Sequence, residues 1–197
     1  MKLQIIVGAT RPGRSTDQLA KWVALEAKNL PGAEVEIVDL ADYEMPIFNE
    51  AISPRFNPDR VPEPTVQKWI DKIAEADAYV YVTPEYNHSI PGVLKNAIDF
   101  LTYEMVRKPA TVVSHGTVGG ARATMHLKEI LSESRAIVLP SAVAFTAGMI
   151  VMGGVFDEEG NLADEAVRNN PYGPQTALKT ALTELQWASD ALSAARG

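Results

Sequence analysis

Apolar and polar positions follow two alternating patterns along the chain. Five short apolar runs predict buried β-strands, and the longer stretches between them repeat apolar residues at helical spacing. The predicted strands are residues 3–7, 35–38, 78–82, 110–114 and 136–145. The predicted helices are residues 15–30, 66–74, 91–101, 121–134 and 175–195. This alternation predicts right-handed crossovers and a parallel sheet with both faces covered.

Five strands predict an α/β fold of the flavodoxin-like kind, a three-layer sandwich with a five-stranded parallel sheet in the order 2-1-3-4-5. Pro140 within the fifth strand predicts an edge position or a bulge, because proline has no N–H for a ladder. The ligand of such a sheet lies beyond the carboxyl ends of its strands. We therefore expect the loops after Val7, Val82 and Ser114 to build the site.

Three local signals concern the segments between these elements. Ser15 and Gln18 have the spacing of a capping box at the start of the first helix. Residues 40–64 carry five prolines, which predicts a long loop that serves as a lid or as an interface. A Gly-rich segment, residues 148–160, precedes the last helix.

Composition narrows the class of protein. The 197 residues suffice for a single domain spanning 1–197, and the net charge of -7 argues against nucleic acid or an anionic membrane as a partner. The absence of cysteine excludes disulfides, thiol nucleophiles and thiolate metal sites. No apolar run is long enough to span a membrane, and the first strand begins too near Met1 for a signal peptide. We therefore expect a soluble protein of the cytoplasm.

The loop between the first strand and the first helix has the composition of a phosphate site. Residues 8–16 read Gly-Ala-Thr-Arg-Pro-Gly-Arg-Ser-Thr. Glycines permit tight turns, hydroxyls and backbone N–H groups donate hydrogen bonds, and the helix N-terminus favours an anion. Arg11 and Arg14 add charge-assisted hydrogen bonds. The alternative is a plain glycine–proline turn with solvated arginines.

A nucleoside-triphosphate enzyme is a weaker interpretation of the same loop. Gly8, Gly13 and Ser15 nearly fit a nucleotide P-loop, but Arg14 stands where that motif needs a slim lysine. The third and fourth strands are also poorly supplied with the acidic residue that would hold magnesium. The Gly-x-Gly-x-x-Gly pattern of dinucleotide folds is absent.

Two later loops make the interpretation specific. The third strand is followed by P-E-Y-N at residues 84–87 and by P-x-x-L-K-N-A-I-D at residues 91–99. The fourth strand runs into S-H-G-T-V-G-G-A-R at residues 114–122. Together with the phosphate loop, and in this order, these motifs resemble the NADPH-dependent FMN reductase family, which includes flavin, quinone and azo reductases. The resemblance spans residues 3–145.

The resemblance implies FMN as the cofactor and implies its contacts. The residues implied for the phosphate loop are Thr10, Arg11, Ser15 and Thr16, joined by Arg14 from the charge argument. The residues implied to wrap the isoalloxazine are Pro84, Glu85, Tyr86 and Asn87. The residues implied at its pyrimidine edge are Ser114, His115 and Gly116. Backbone amides after His115 and the N-terminus of the following helix would stabilise the negative charge of the reduced ring. Ala9 and His88 depart from the family pattern, which often has a hydroxyl residue and an aromatic residue there.

The implied reaction is two-electron transfer from NADPH or NADH, through FMN, to a small-molecule acceptor such as a quinone, a flavin or an azo compound. Because the chemistry belongs to the flavin, we expect no catalytic side chain. The three histidines are too scattered for a metal site, and we expect His126 to be structural or solvated. No motif decides between NADPH and NADH, and the candidates for a 2′-phosphate contact are Arg14, Arg55 and Arg60.

A second class of function stays open at this stage. An FMN-binding electron carrier or redox sensor would carry the same loops, and NADPH oxidation by the pure protein would distinguish the two. The family resemblance implies a homodimer, or a homotetramer built as a dimer of dimers. Residues 40–64 and the apolar segment 144–155 favour such an assembly, although an apolar segment could equally be buried within one chain.

Overall fold

The computed structural model describes residues 1–151 and 155–196. The strands are β1 (Lys2–Val7), β2 (Glu34–Asp39), β3 (Ala78–Pro84), β4 (Pro109–Gly116) and β5 (Ile137–Thr146). The helices are α1 (Thr16–Ala27), α2 (Pro64–Ala74), α3 (Gly92–Asp99), α4 (Ala121–Glu133), α5 (Ala147–Val151), α6 (Glu165–Arg168) and α7 (Pro174–Arg196).

The strands form one parallel sheet in the order β2-β1-β3-β4-β5, which confirms the predicted topology. β1 pairs with β2 on one side and with β3 on the other, so that Val7 lies between Asp39 and Val82 at the carboxyl edge. The chain leaves β1 for β2 and then crosses back past β1 to β3. The topological switch point, where ligands of such sheets bind, therefore lies between β1 and β3.

Each face of the sheet packs against its own set of helices. Alternate residues of a strand point to opposite faces, so Ile5 joins a buried cluster with α1 and α7, and Ile6 joins one with α2, α3 and α4. The two large tryptophans in these layers are fully buried and hydrogen-bonded. Trp22 Nε1 donates to Gln175 Oε1 at 3.0 Å, and Trp69 Nε1 donates to the carbonyl of Ala97 at 2.8 Å. Burial on both faces explains why the central strands β1, β3 and β4 are nearly continuous apolar runs.

The first helix differs from its prediction at both ends. Ser15 is the N-cap residue, but its side chain makes no capping hydrogen bond, so the predicted capping box with Gln18 is wrong. The helix ends at Ala27 rather than residue 30, and a hydrogen-bonded turn follows. Pro31 accounts for the early end, because a proline disfavours helical geometry at the preceding residue.

The proline-rich segment, residues 40–64, is the predicted long connection, interrupted by two single-turn 3-10 helices at Leu40–Asp42 and Pro54–Phe56. Asn96 of α3 fixes its first half: the Asn96 side chain donates to the carbonyl of Pro46 and accepts from the N–H of Phe48, both at 2.8 Å.

Arg60 fixes the second half of the proline-rich segment. Its guanidinium binds the carboxylate of Glu50, with a shortest distance of 2.6 Å, and donates to the carbonyl of Phe100 at 2.9 Å. Side-chain contacts therefore hold both halves of the segment in this structure, and its role as a lid or as an interface stays a prediction.

Pro140 lies in an irregularity of the edge strand β5, which confirms the sequence prediction. Ala110 of β4 pairs with Val138, whereas Val112 pairs with Ala142, so β5 carries two additional residues between these pairs. The carbonyl of Pro140 accepts a hydrogen bond of 2.7 Å from Lys128 of α4. Proline is tolerated here because its missing N–H falls outside the ladder.

The chain between β5 and α7 contains α5 and the short helix α6, which the sequence analysis did not predict. Asp164 caps α6 by accepting hydrogen bonds from the N–H groups of Ala166 and Val167. Residues 152–154 of the predicted Gly-rich segment lie outside the described residues. Among the helices that are described, none combines the length and the apolar character needed to cross a membrane.

Candidate functional site

The three loops predicted to build the site meet at the carboxyl edge of the sheet. The N–H of Gly8 donates to the carbonyl of Val82 at 2.8 Å, and this bond joins the first loop to the end of β3. The N–H of Glu85 donates to the carbonyl of His115 at 2.8 Å and joins the second loop to the third. The prediction that these loops converge is therefore confirmed.

Gly8 is required at its position because β1, β3 and α3 approach closely there. A Cβ atom on Gly8 would lie 2.9 Å from Cδ2 of Leu94 and 3.0 Å from the carbonyl oxygen of Val82. The Leu94 methyl group can shift, but the Val82 carbonyl is backbone, so a larger residue would crowd the contact between the first loop and β3.

The first loop leaves a helix N-terminus available for an anion. Ser15 makes no capping bond, and the N–H groups in the first turn of a helix have no intrahelical partner. Thr10, Arg11 and Gly13 are exposed on the same loop. Among the described residues, no carboxylate lies within 4.0 Å of the Arg11 guanidinium. These free donors have the chemistry and the position of a phosphate site.

Arg14 is committed to protein partners, unlike Arg11. Its guanidinium pairs with Asp39 at the end of β2, with Asp17 of α1 at 2.6 Å and with the carbonyl of Ala9 at 2.5 Å. Its side chain is only 11% exposed. Burial disfavours the charged guanidinium, but the two carboxylates outweigh that effect and raise the pKa of Arg14. Arg14 therefore holds the first loop against α1 and the end of β2, and its contact with a phosphate stays a prediction.

Thr16 and His115 form a hydrogen-bonded pair beneath the phosphate loop. Thr16 is completely buried, and its hydroxyl lies 3.0 Å from Nε2 of His115. Burial, with the nearby Arg11 charge, lowers the pKa of His115 to about 4. The ring is therefore neutral at physiological pH, and one of its nitrogens accepts a hydrogen bond. The Thr16 hydroxyl thus serves the contact between α1 and β4, and only its backbone N–H remains for a ligand.

Glu85 caps helix α4, which the sequence analysis did not foresee. Its carboxylate accepts from the N–H of Arg122 at 3.0 Å and from the N–H of Ala123 at 3.4 Å, and it pairs with the Arg122 guanidinium at 2.7 Å. Burial opposes ionisation of Glu85, but these donors outweigh it and lower the pKa of the carboxyl group. The N-terminus of α4, expected to stabilise a reduced flavin, is therefore already occupied by a carboxylate.

The second loop closes in a tight two-residue turn. Asn87 and His88 both have positive φ angles, 49° and 68°, and Tyr86 and Ser89 exchange two backbone hydrogen bonds of 2.9 and 3.0 Å. The half-buried ring of Tyr86 lies 5.4 Å from the guanidinium carbon of Arg11. This cation–π contact connects the first and second loops at the surface of the site.

The third loop is closed from inside by Ser114. Its hydroxyl donates to the carbonyl of Gly119 at 2.7 Å and accepts from the Thr124 hydroxyl at 2.8 Å. Gly120 has a φ of 76°, and a Cβ there would lie 2.8 Å from Cβ of Ser114. The Ser114 side chain is thus an internal brace, and the backbone from His115 to Gly116 is the part that faces a ligand.

Arg55, Arg60 and His126 each have a partner within the protein. Arg55 pairs with Glu133 at 2.9 Å and Arg60 pairs with Glu50, so each of these proposed 2′-phosphate contacts already has a carboxylate. His126 Nδ1 lies 3.2 Å from the Ser89 hydroxyl on the surface.

The residues that sequence analysis missed at the site are Asp39 and Asn96. A signal for Asp39 was present, since it is the acidic residue that ends β2 next to an arginine-rich loop. Asn96 belongs to the motif at residues 91–99, but nothing in the sequence showed that its side chain binds backbone groups of a segment 48 and 50 residues away.

The sheet order defines a flavodoxin-like α/β protein, and the N-terminus of α1 at its switch point has no side-chain cap. A model of the family described as NADPH-dependent FMN reductase matches residues 1–149. The chain belongs to that family, and it is an oxidoreductase, as the sequence predicted.

Individual relatives agree with this assignment. The chain is 34% identical over 145 residues to an NAD(P)H-dependent FMN reductase of Schizosaccharomyces pombe, covering 74% of this chain and 72% of the relative. It is 31% identical over 191 residues to a quinone reductase of Escherichia coli K12, covering 90% and 94%. A flavoenzyme NAD(P)H:(acceptor) oxidoreductase from Paracoccus denitrificans superposes with a TM-score of 0.68 at 25% identity, over 98% of this chain and 97% of that one.

Proposed function

We propose that the chain holds FMN at the edge formed by its three loops and uses it to reduce small organic acceptors with NAD(P)H. The observation that carries this proposal is the uncapped N-terminus of α1, with the free Arg11 guanidinium beside it. These exposed donors favour an anion, and the phosphate of FMN is the anion that we propose for them.

The phosphate-binding groups follow from which donors remain free. Thr10 and Ser15 contribute hydroxyls, Arg11 contributes its charge, and the N–H groups from Ser15 to Thr16 point along the helix axis. Arg14 acts indirectly by holding the loop against Asp39 and Asp17.

The flat part of the cofactor rests against backbone rather than side chains in this proposal. The side chains of Glu85 and Ser114 bind groups within the protein. The second and third loops therefore offer a flat ring their main chain, at Pro84–Asn87 and at Ser114–Gly116. The half-buried Tyr86 supports its edge. Bound FMN supplies two-electron redox chemistry, and the protein positions the ring and tunes its charge.

The overall reaction balances as NAD(P)H, a proton and a quinone giving NAD(P)⁺ and a hydroquinone. The nicotinamide loses a hydride, and the quinone gains two electrons and two protons. Flavins and azo compounds are further acceptors in this proposal. An electron carrier or sensor is not favoured, because the similar proteins named here are reductases and an oxidoreductase.

We also propose a homodimer or homotetramer that works in the cytoplasm. The apolar side chains Phe56 and Val61, 80% and 92% exposed on the proline-rich segment, support a protein partner for that surface. The absence of cysteine supports a reducing compartment.

The test is the visible spectrum of the purified protein, before and after NADPH or NADH is added without oxygen. We expect flavin absorbance, bleaching by at least one of the two nucleotides, and recovery of the colour when benzoquinone is added. A protein that stays colourless with added FMN would refute the cofactor. A yellow protein that oxidises neither nucleotide with any quinone would support the electron carrier instead.

A further inference from the structure

A cavity of about 460 Å³ lies beside the phosphate loop, between α3 and the start of the proline-rich segment. Thr10 of the phosphate loop forms one end, and Gly92 and Val93, at the start of α3, form one side. The opposite side is the chain from Leu40 to Ile47. The cavity therefore adjoins both the first loop and the helix that follows the second loop.

The lining of this cavity is aliphatic. Leu40, Met45, Ile47 and Val93 supply most of it, and none of the residues that line it carries a charge. A charged group such as a phosphate would find no counter-ion among these residues. An occupant that displaces water from such a surface gains free energy only if it is itself apolar.

Polar side-chain atoms in the lining come from Thr10 at the phosphate loop, from Tyr43 and from Asn96, and the Asn96 amide is already hydrogen-bonded. Asn96 uses its amide nitrogen for the carbonyl of Pro46 and its amide oxygen for the N–H of Phe48. Two of the four hydrogen bonds that its amide can make are therefore already used. The same two bonds hold the wall in place before any ligand arrives, so the cavity is preformed.

The single aromatic ring in the lining is also engaged. The centroid of the Tyr43 ring lies 5.2 Å from that of Trp69 in a T-shaped contact, and Nζ of Lys68 lies 4.9 Å from the Tyr43 centroid. With these neighbours the ring offers a poor stacking platform for a planar ligand. Size, charge and shape together favour an aliphatic chain over a nucleobase or a second flat ring.

We propose that this cavity binds an aliphatic substituent of the electron acceptor, so that the preferred acceptors are quinones carrying an alkyl or isoprenoid chain. The chain would lie among Leu40, Met45, Ile47 and Val93 while the quinone head reaches the loops. This inference rests on the proposed reductase function, and it adds the class of acceptor. The reaction is the one balanced above, since the chain takes no part in the bonds that change.

The experiment compares decyl-benzoquinone with unsubstituted benzoquinone on the FMN-loaded protein. Ile47→Ser and Val93→Ser make the cavity polar, and both side chains are exposed enough to be replaced without a folding defect, at 85% and 42% exposure. Gly92→Leu fills the cavity instead: a Cβ there meets no atom within 4 Å, and its backbone is not in the left-handed region. Ile137→Ser, at 43% exposure near the opposite edge of the sheet, is the matched control.

In the wild type we expect kcat/KM to be higher for decyl-benzoquinone than for benzoquinone. Each cavity variant should reduce the ratio of these two values by about tenfold. The control should keep it, and benzoquinone should be reduced at an unchanged rate by all variants. Equilibrium binding of the decyl compound to the FMN-loaded protein, without NAD(P)H, should weaken in parallel.

Three results would overturn the proposal. The first is a wild type that gains nothing from the chain, or variants that keep the gain. The second is weaker FMN binding in the cavity variants, which would place part of the flavin there. The third is a higher KM for NAD(P)H with every acceptor, which would assign the cavity to the donor. If the wild type reduced no quinone at all, the reductase function itself would be refuted instead.

Discussion

The hydroxyl of Thr16 lies 3.0 Å from Nε2 of His115, so the first turn of α1 is hydrogen-bonded to the end of β4 across the carboxyl edge of the sheet. The two residues are 99 positions apart in the sequence. Their contact fixes the helix that carries the phosphate loop relative to the strand that carries the third loop. A ligand that places a charged tail on the first loop and a flat ring on the third loop needs these two loops at a fixed distance from each other.

His115 should make the protein sensitive to mild acid. Its pKa is about 4 in the folded state against 6.5 ordinarily, so the unfolded chain takes up a proton first as the pH falls. The free energy of unfolding should therefore be constant above about pH 6.5 and fall as the pH drops towards 4. The loss should reach about 2 to 3 kcal/mol, measured by urea unfolding across this range.

His115→Gln is the control for this pH dependence. Glutamine still offers a hydrogen-bond acceptor to Thr16 but does not titrate, so the slope between pH 4 and 6.5 should disappear while stability at pH 7.5 changes little. A variant that keeps the full slope would show that another group is responsible.

Arg11 and Arg14 should have separable roles despite their proximity. Arg11→Ala should weaken FMN binding by about tenfold and leave riboflavin, which lacks the phosphate, unaffected. Arg14→Ala should instead lower the free energy of unfolding of the protein without cofactor by about 1 to 3 kcal/mol, because it strands Asp39 and the carbonyl of Ala9. Fluorescence titrations and urea unfolding would measure the two effects, and equal riboflavin losses in Arg11→Ala would contradict this division.

The capping contact of Glu85 should matter more than its ion pair. Glu85→Ala removes the acceptor for two backbone N–H groups and should cost about 1 to 2 kcal/mol of unfolding free energy at pH 7. Arg122→Ala removes only a half-exposed partner and should cost less than about 1 kcal/mol. Since the pKa of Glu85 is lowered, its contribution is complete above pH 4.5 and is lost as the pH falls through the lowered value. Equal costs for the two variants at pH 7 would argue against a capping role.

Asn96 should control the order of the proline-rich segment. Asn96→Ala leaves the carbonyl of Pro46 and the N–H of Phe48 without their partner, so amide hydrogen exchange at Phe48 should accelerate markedly. Asn96→Asp keeps an acceptor for Phe48 but places a carboxylate against the Pro46 carbonyl, and it should protect the amide only in part. Unchanged exchange in both variants would show that other contacts hold the segment.

The periodicity of the chain was enough to predict the sheet because burial on both faces leaves little choice of element. The central strands β1, β3 and β4 are apolar at most positions, and five strands alternating with helices favoured the observed order. Local details were harder: Ser15 and Gln18 have the right spacing for a capping box, yet Ser15 makes no capping bond. A helix terminus kept open for a ligand violates a local rule, as functional sites often do.

The sequence predicted which loops form the site, but it predicted less well what the individual side chains in those loops do. Residue types showed that Arg14, Ser114 and Glu85 belong to the edge, but not which way each side chain turns. All three point into the protein, because Asp39, Gly119 and the N-terminus of α4 compete for them. These partners lie between 5 and 37 residues away, so only the folded chain brings each pair together.

The irregularity around Pro140 protects the outer border of the sheet. A long unpaired strand is a template on which other chains can add, and this is how ordered aggregates grow. Two additional residues and a missing N–H interrupt that template near its middle. The protein should therefore resist forming fibrils through this border, even in concentrated solution. A change that made the border regular would make such aggregation easier.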